Sequence, residues 1–139
     1  MKPILNSRKK IKNINGDIVK FIDKSDRNFR GFGEVYFSFI KKNKIKAWKF
    51  NKTIHSNFIV PYGKVLVVVF DKEKNYIQKN ILSHRNLNSL FLPPNFFYGF
   101  MGLEKKNLIV NLINKNHNVE TNNSIPKNFL DFDWGKFKI

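Results

Sequence analysis

Apolar residues recur along most of this chain with a period of two, the spacing of strands whose side chains alternate between two faces. Asp17 to Asp23 reads as the first strand, with Ile18, Val19, Phe21 and Ile22 following the turn-forming pair Asn15-Gly16. Glu34 to Ile40 alternates cleanly, placing Val35, Phe37 and Phe39 on one face and Glu34, Tyr36 and Ser38 on the other. A turn over Lys41 to Lys44, carrying Asn43, leads into a strand at Ile45 to Phe50. A short strand at Asn57 to Val60 is closed by Pro61-Tyr62-Gly63. Val65 to Phe70 is an unbroken, Val-rich apolar run, the signature of a strand buried on both faces.

Further strands are expected at Tyr76 to Leu82, Ser89 to Leu92, Phe97 to Leu103 and Leu108 to Ile113, with Pro93-Pro94-Asn95 breaking the chain between two of them. No segment has a sustained helical period. Many short strands at this spacing predict an all-β fold, and a double-sheet jelly roll is the natural form because it limits exposed edges. The Asn-rich stretch from Asn114 to Asn128 reads as a long loop, and the ending Phe129-Leu130-Asp131-Phe132-Asp133-Trp134 as a tail that docks on the body.

Composition narrows the picture. The 139 residues suit one domain, and 42% hydrophobic residues supply a core. With no cysteine there is no disulfide framework, thiolate nucleophile or zinc-cysteine site, which agrees with a reducing cytoplasm. The run Val65 to Phe70 is far shorter than the ~20 apolar residues of a membrane span, and no apolar stretch follows the basic N-terminus as it would in a secretory signal. The net charge of +16 favours anionic partners: nucleic acid, or a phosphorylated small molecule such as a nucleotide sugar. It also fits a compositional bias that inflates Lys, Asn, Ile and Phe together, since the basic residues are spread along the chain. No motif or aromatic-basic platform supports nucleic-acid binding.

Five segments in order then carry a resemblance. They are Arg30-Gly31-Phe32-Gly33-Glu34-Val35-Tyr36-Phe37-Ser38, Ile45-Lys46-Ala47-Trp48-Lys49-Phe50-Asn51-Lys52, Gly63-Lys64-Val65 with the run to Asp71, Leu92-Pro93-Pro94-Asn95-Phe96-Phe97-Tyr98-Gly99-Phe100, and the tail pair Asp133-Trp134. From about Arg30 to Trp134 the chain resembles the cupin sugar-nucleotide epimerases typified by dTDP-4-dehydrorhamnose 3,5-epimerase. That resemblance implies a cupin-type double-stranded β-helix acting on a nucleotide-linked 4-keto-6-deoxy sugar in surface-polysaccharide biosynthesis. It further implies a homodimer, a nucleotide-diphosphate sugar as partner, and neither metal nor other cofactor.

In the family a His paired with an Asp removes a proton beside a keto group, a Tyr returns one, and a cation or amide donor stabilises the enolate. This chain departs from that pattern. Lys49 stands at the base position, Asn51 where a second His is common, and Tyr98 where the Pro-Pro segment usually continues with His. The Asp partner falls at Pro126 and Lys127, and the family's Tyr aligns near His117. The candidate catalytic residues are therefore Lys49, Tyr98 and His55, the last as a replacement imidazole. The candidate substrate-binding residues are Arg30 (with Arg27 as its competitor), Glu34, Lys46, Asn51, Lys52 and Asn111. Each has a plainer alternative: solvated strand lysines, a core tyrosine, a surface histidine, and an asparagine that satisfies neighbouring backbone. Two other functions remain open: a cupin that binds a sugar nucleotide or saccharide without turnover, and a basic nucleic-acid binder.

Overall fold

Alternating apolar positions interrupted by Gly, Asn and Pro turns build two antiparallel sheets. The computed structural model describes residues 1–117 and 125–139. Its strands are β1 (Ile4–Ser7), β2 (Lys9–Ile11), β3 (Ile18–Lys20), β4 (Glu34–Lys41), β5 (Ile45–Phe50), β6 (Ser56–Tyr62), β7 (Lys64–Asp71), β8 (Tyr76–Ser83), β9 (Asn88–Leu92), β10 (Phe96–Gly102) and β11 (Lys106–Ile113). One sheet has five strands in the order β1-β9-β6-β11-β4, and the other has four in the order β5-β10-β7-β8. β2 and β3 form a separate hairpin. The arrangement is the expected all-β cupin jelly roll. Two 3-10 turns, Lys127–Phe129 and Trp134–Phe137, punctuate the C-terminal tail. No helix among the described residues is long and apolar enough to cross a membrane.

Most predicted strands recur with bounds shifted by a residue or two. β6 is an instructive difference. It continues through Pro61 and Tyr62, because two of its residues, Val60 and Pro61, oppose only Ile109 of β11. The resulting bulge accommodates a proline that a regular ladder would reject. Gly63, at φ 91°, then makes the turn into β7, where an added Cβ would lie 2.4 Å from the Lys106 carbonyl oxygen. The expected 114–128 loop lies partly outside the described residues, and its last two residues enter the first 3-10 turn.

Two cores follow from strand alternation. Between the sheets pack Ile40, Phe58, Val60, Val65, Val67, Val69, Leu82, Leu90, Leu92, Tyr98, Phe100 and Ile109. The outer face of the four-stranded sheet carries Trp48, Leu66, Val68, Phe70, Phe97 and Met101, and the tail covers it with Leu130 and Trp134. The run Val65 to Phe70 is buried throughout because the sheet that holds it is covered on both sides.

The edge strand β4 faces the opposite way from its polarity. Glu34, Tyr36 and Ser38 point inward, whereas Val35, Phe37 and Phe39 are exposed on the outer face. In register beside them on β11 lie Leu108, Val110 and Leu112. A polar strand face turned into a barrel interior, with an apolar face left outside, is where a site and a partner surface are to be sought.

Candidate functional site

Register brings the central residues together. On β5, Lys49 pairs directly with Tyr98 of β10, so both side chains leave the four-stranded sheet on its interior face. Tyr98 is buried, and its ring lies 5.3 Å from that of Phe58 on the opposite sheet. Burial pushes its phenol well above the ordinary range, nearby Tyr36 adds to this, and the Asn51 side chain opposes it. Tyr98 is therefore a neutral hydrogen-bond donor at any physiological pH. Lys49 is half-buried, and desolvation, reinforced by the charge of Lys46, pulls its ammonium below the usual lysine range. Asn51 is buried where β5 ends, and its backbone carbonyl accepts the Asn95 N–H at 2.8 Å.

The opposite wall comes from β4 and β11. Asn111 pairs with Tyr36, and its Nδ2 donates to the Tyr36 hydroxyl at 2.7 Å. Burial raises the Tyr36 phenol, the Asn111 bond lowers it and the Glu34 carboxylate raises it. The Oδ1 of Asn111 is buried and has no hydrogen-bond partner among the described residues. Asn107, four residues earlier on the same face, differs in kind. Its Oδ1 accepts from Lys64 N–H at 2.8 Å and Glu104 N–H at 3.3 Å, while its Nδ2 donates to the carbonyls of Ile40 at 3.0 Å and Glu104 at 2.7 Å. Asn107 is a satisfied structural amide. Asn111 keeps an acceptor to spare.

Beyond Tyr36 the cluster ends in a carboxylate and an imidazole. Glu34 Oε1 accepts the His117 backbone N–H at 3.1 Å and lies 3.5 Å from His117 Nδ1. The His117 ring leans on Tyr36 with centroids 4.9 Å apart. Lys46 reaches back across the sheet edge, donating to Ser38 Oγ at 3.0 Å and to the Phe39 carbonyl at 2.7 Å. Lys52 is exposed. Among the described residues no group of three or more His, Asp or Glu side chains is placed to hold a metal ion.

His55 does not join Lys49 and Tyr98. Its ring stacks on Phe91, with centroids 6.1 Å apart. Phe91 points away from the interior because its neighbours Leu90 and Leu92 point into it. Burial, with Arg30 and Lys115, holds the His55 imidazole below its ordinary pKa. Arg30 also sits on this outer side, its guanidinium 5.6 Å from the centre of the Phe91 ring. There Lys2, Arg27, Arg30, Asn28, Met1 and Phe91 line a cleft of about 340 Å³. The predicted residues thus divide into an interior group (Lys49, Tyr98, Asn51, Asn111, with Glu34 at its end) and an outer basic group (Arg30, with Arg27 and His55).

Tyr36 and the Glu34–His117 contact were not singled out as a unit by the sequence. The alternation of β4 held the signal for Tyr36, which shares a face with Glu34 and Ser38.

No family model matches the chain, and no curated protein sequence matches it. Solved structures do. A dTDP sugar isomerase from Desulfovibrio desulfuricans G20 superposes with a TM-score of 0.88 at 26% identity, over 95% of this chain and 90% of that one. The chain has the cupin fold of the sugar-nucleotide epimerases and isomerases. The dTDP-4-dehydrorhamnose 3,5-epimerase from Sulfolobus tokodaii gives a TM-score of 0.82 at 21% identity, covering 99% and 84% of the two chains. The corresponding enzyme from Bacillus anthracis, solved with TDP and pyrophosphate bound, gives 0.80 at 17% identity, covering 91% and 79%. In this cupin the segments that carried the sequence resemblance become β4, β5, β7, β10 and the docked tail.

Proposed function

We propose that this cupin is an epimerase or ketoisomerase acting on a 4-keto-6-deoxy sugar carried on a nucleotide diphosphate. The observation that carries the reading is the match to the Desulfovibrio dTDP sugar isomerase over 95% of this chain. The interior supports it chemically. Neutral phenols at Tyr98 and Tyr36, the amides of Asn51 and Asn111 and the amine of Lys49 form a polar lining inside an otherwise apolar barrel, which suits a sugar ring. Lys52, exposed beyond the end of β5, and the cleft of Arg27 and Arg30 offer positive charge to a diphosphate. A cytoplasmic location goes with this reading.

A nucleotide panel tests it. The chain is expected to be stabilised selectively by dTDP over UDP, GDP and CMP, by about 2.7 kcal/mol at ~100 times the dissociation constant. It is also expected to incorporate solvent deuterium into a dTDP-4-keto-6-deoxy sugar. A flat thermal response with no exchange overturns the reading. Selective binding without exchange supports instead a cupin that holds a sugar nucleotide without turnover, a reading favoured by the loss of His at the positions of Lys49, Asn51 and Tyr98.

The working form in this reading is a homodimer. Phe37 and Phe39 are 62% and 69% exposed on the outer face of an edge strand, and Phe32 and Tyr62 are comparably bare. A contiguous apolar face of this kind marks an interaction surface. Because it lies on a sheet, an antiparallel second copy covers it with the same face. Phe37→Asp is expected to convert a dimer into a folded monomer in sedimentation equilibrium. A wild-type chain that sediments as a monomer at tens of micromolar ends this assignment.

A further inference from the structure

We infer that Lys49 is a nucleophile that condenses with the keto group of the sugar, so that this cupin works through an iminium and an enamine rather than through an enolate. The inference rests on the sugar-nucleotide reading above and goes one step further into its chemistry.

The placement comes first. Lys49 emerges on the interior face directly opposite Tyr98, between Asn51 at the strand end and the Tyr36–Asn111 pair on the far wall. Those four neighbours are neutral, and the sheet continues with Val65, Val67, Val69 and Phe100. Such surroundings favour an uncharged amine over an ammonium, and the cation of Lys46 favours it again. Desolvation together with a second lysine is an arrangement that readies an amine for Schiff-base chemistry.

When a proton leaves the carbon beside the ketone, its electron pair needs somewhere to go. An enolate needs a cation or a strong donor at its oxygen. Lys46 is committed to Ser38 Oγ and the Phe39 carbonyl. An enolate oxygen there would be met by phenol and amide donors, which stabilise it without supplying a full positive charge. As an iminium, Lys49 supplies the electron sink itself.

The steps balance without any oxidant or reductant. The Lys49 amine adds to the C4 carbonyl carbon, and the oxygen departs as water after protonation, leaving C=N⁺. Loss of a proton from the adjacent carbon gives an enamine, with the C–H electron pair moving into the new C=C bond and the C=N⁺ pair returning to nitrogen. His117, the imidazole at the end of the interior cluster beside Glu34, takes that proton. Water returns a proton to the carbon on the other face, the proton held by His117 neutralises the hydroxide that this leaves, and hydrolysis of the iminium releases the epimeric ketone and restores the amine.

The test is reductive trapping. The chain is incubated with a dTDP-4-keto-6-deoxy sugar and sodium cyanoborohydride, and the labelled peptide is mapped by mass spectrometry. Deuterium incorporation and dTDP-induced thermal stabilisation are measured on the same sample without reductant. The expected result is a borohydride-dependent adduct on Lys49. Lys49→Arg, which keeps a cation but cannot form the imine, is expected to abolish the adduct and reduce exchange by at least about 100-fold while retaining the wild-type circular dichroism spectrum. Exchange without an adduct on Lys49, or with an adduct only on other lysines, overturns the iminium and leaves the epimerase reading intact. Selective dTDP stabilisation with neither adduct nor exchange overturns both the iminium and turnover while leaving nucleotide binding. Loss of all three removes the sugar-nucleotide reading as well.

Discussion

Trp48→Ala is expected to destabilise the chain by about 3–5 kcal/mol, a large share of the stability an ordinary domain possesses. Trp48 is almost wholly buried on the outer face of the four-stranded sheet. Its ring lies 5.3 Å from Phe70 within the sheet and 5.3 Å from Trp134 in the tail. Its indole N–H donates to the Lys127 carbonyl at 3.0 Å. The backbone adds a two-way exchange with Ile125, Trp48 N–H to Ile125 O at 2.8 Å and Ile125 N–H to Trp48 O at 3.3 Å. One residue therefore fills the second core and fastens the tail. Alanine keeps the backbone pair but opens a void larger than its neighbours can close, and it strands the Lys127 carbonyl. Trp48→Phe separates the two contributions: most of the packing survives and the hydrogen bond does not, so a loss of about 1–2 kcal/mol is expected. Urea unfolding monitored by near-ultraviolet circular dichroism measures both. A loss below about 1 kcal/mol for the alanine variant would mean that the tail adds little to the fold.

The same residue shows why strands were easier to read than sites. The strand Ile45 to Phe50 is legible from its composition and its flanking turn, and it is found at those bounds. By contrast, the pairing of Lys49 with Tyr98 is a property of sheet register, which joins positions far apart in the chain. Alternation fixes which residues share a face but not which face is inside. For β4 the apolar set Val35, Phe37 and Phe39 faces outward, and Tyr36 and Glu34 are left to line the interior. His55 illustrates the converse. It was expected as a replacement imidazole beside Lys49 and Tyr98, yet Phe91 draws its ring to the outer side. The strands β1 and β2 escaped because Lys and Asn dilute their apolar positions. β1 is nonetheless held in register along β9, and Arg8, the residue after it, donates to Ser89 Oγ and pairs with Asp26. The resemblance to the epimerases located the segments of the interior group. The residues occupying those segments had to be placed by the structure before their chemistry could be argued.

Asn111→Leu is expected to leave the fold as stable as before, or more so, while reducing deuterium exchange into the keto-sugar nucleotide by about 100-fold. Asn111 is almost wholly buried, and among the described residues its Oδ1 has no partner. Burying an unpaired amide oxygen costs about 1–3 kcal/mol, so a leucine, branched at the same carbon, recovers that cost and loses the bond to Tyr36. A sequence selected for stability alone has no reason to keep such an amide in the middle of β11. A sugar hydroxyl seated against Asn111 would supply the missing donor and leave the Tyr36 phenol correctly held. Asn107→Leu is the control, since it removes an amide whose hydrogen bonds are all internal. That change is expected to cost about 2–4 kcal/mol, because the backbone groups of Lys64, Glu104 and Ile40 lose their partner. The two variants differ by four positions on one strand face and are predicted to move stability in opposite directions. If Asn111→Leu destabilises as strongly as Asn107→Leu, the amide is structural and the interior site loses its far wall. If it stabilises and exchange persists at the wild-type rate, the sugar does not sit between Lys49 and Asn111, and the outer cleft beside Arg27 and Arg30 becomes the place to seek it.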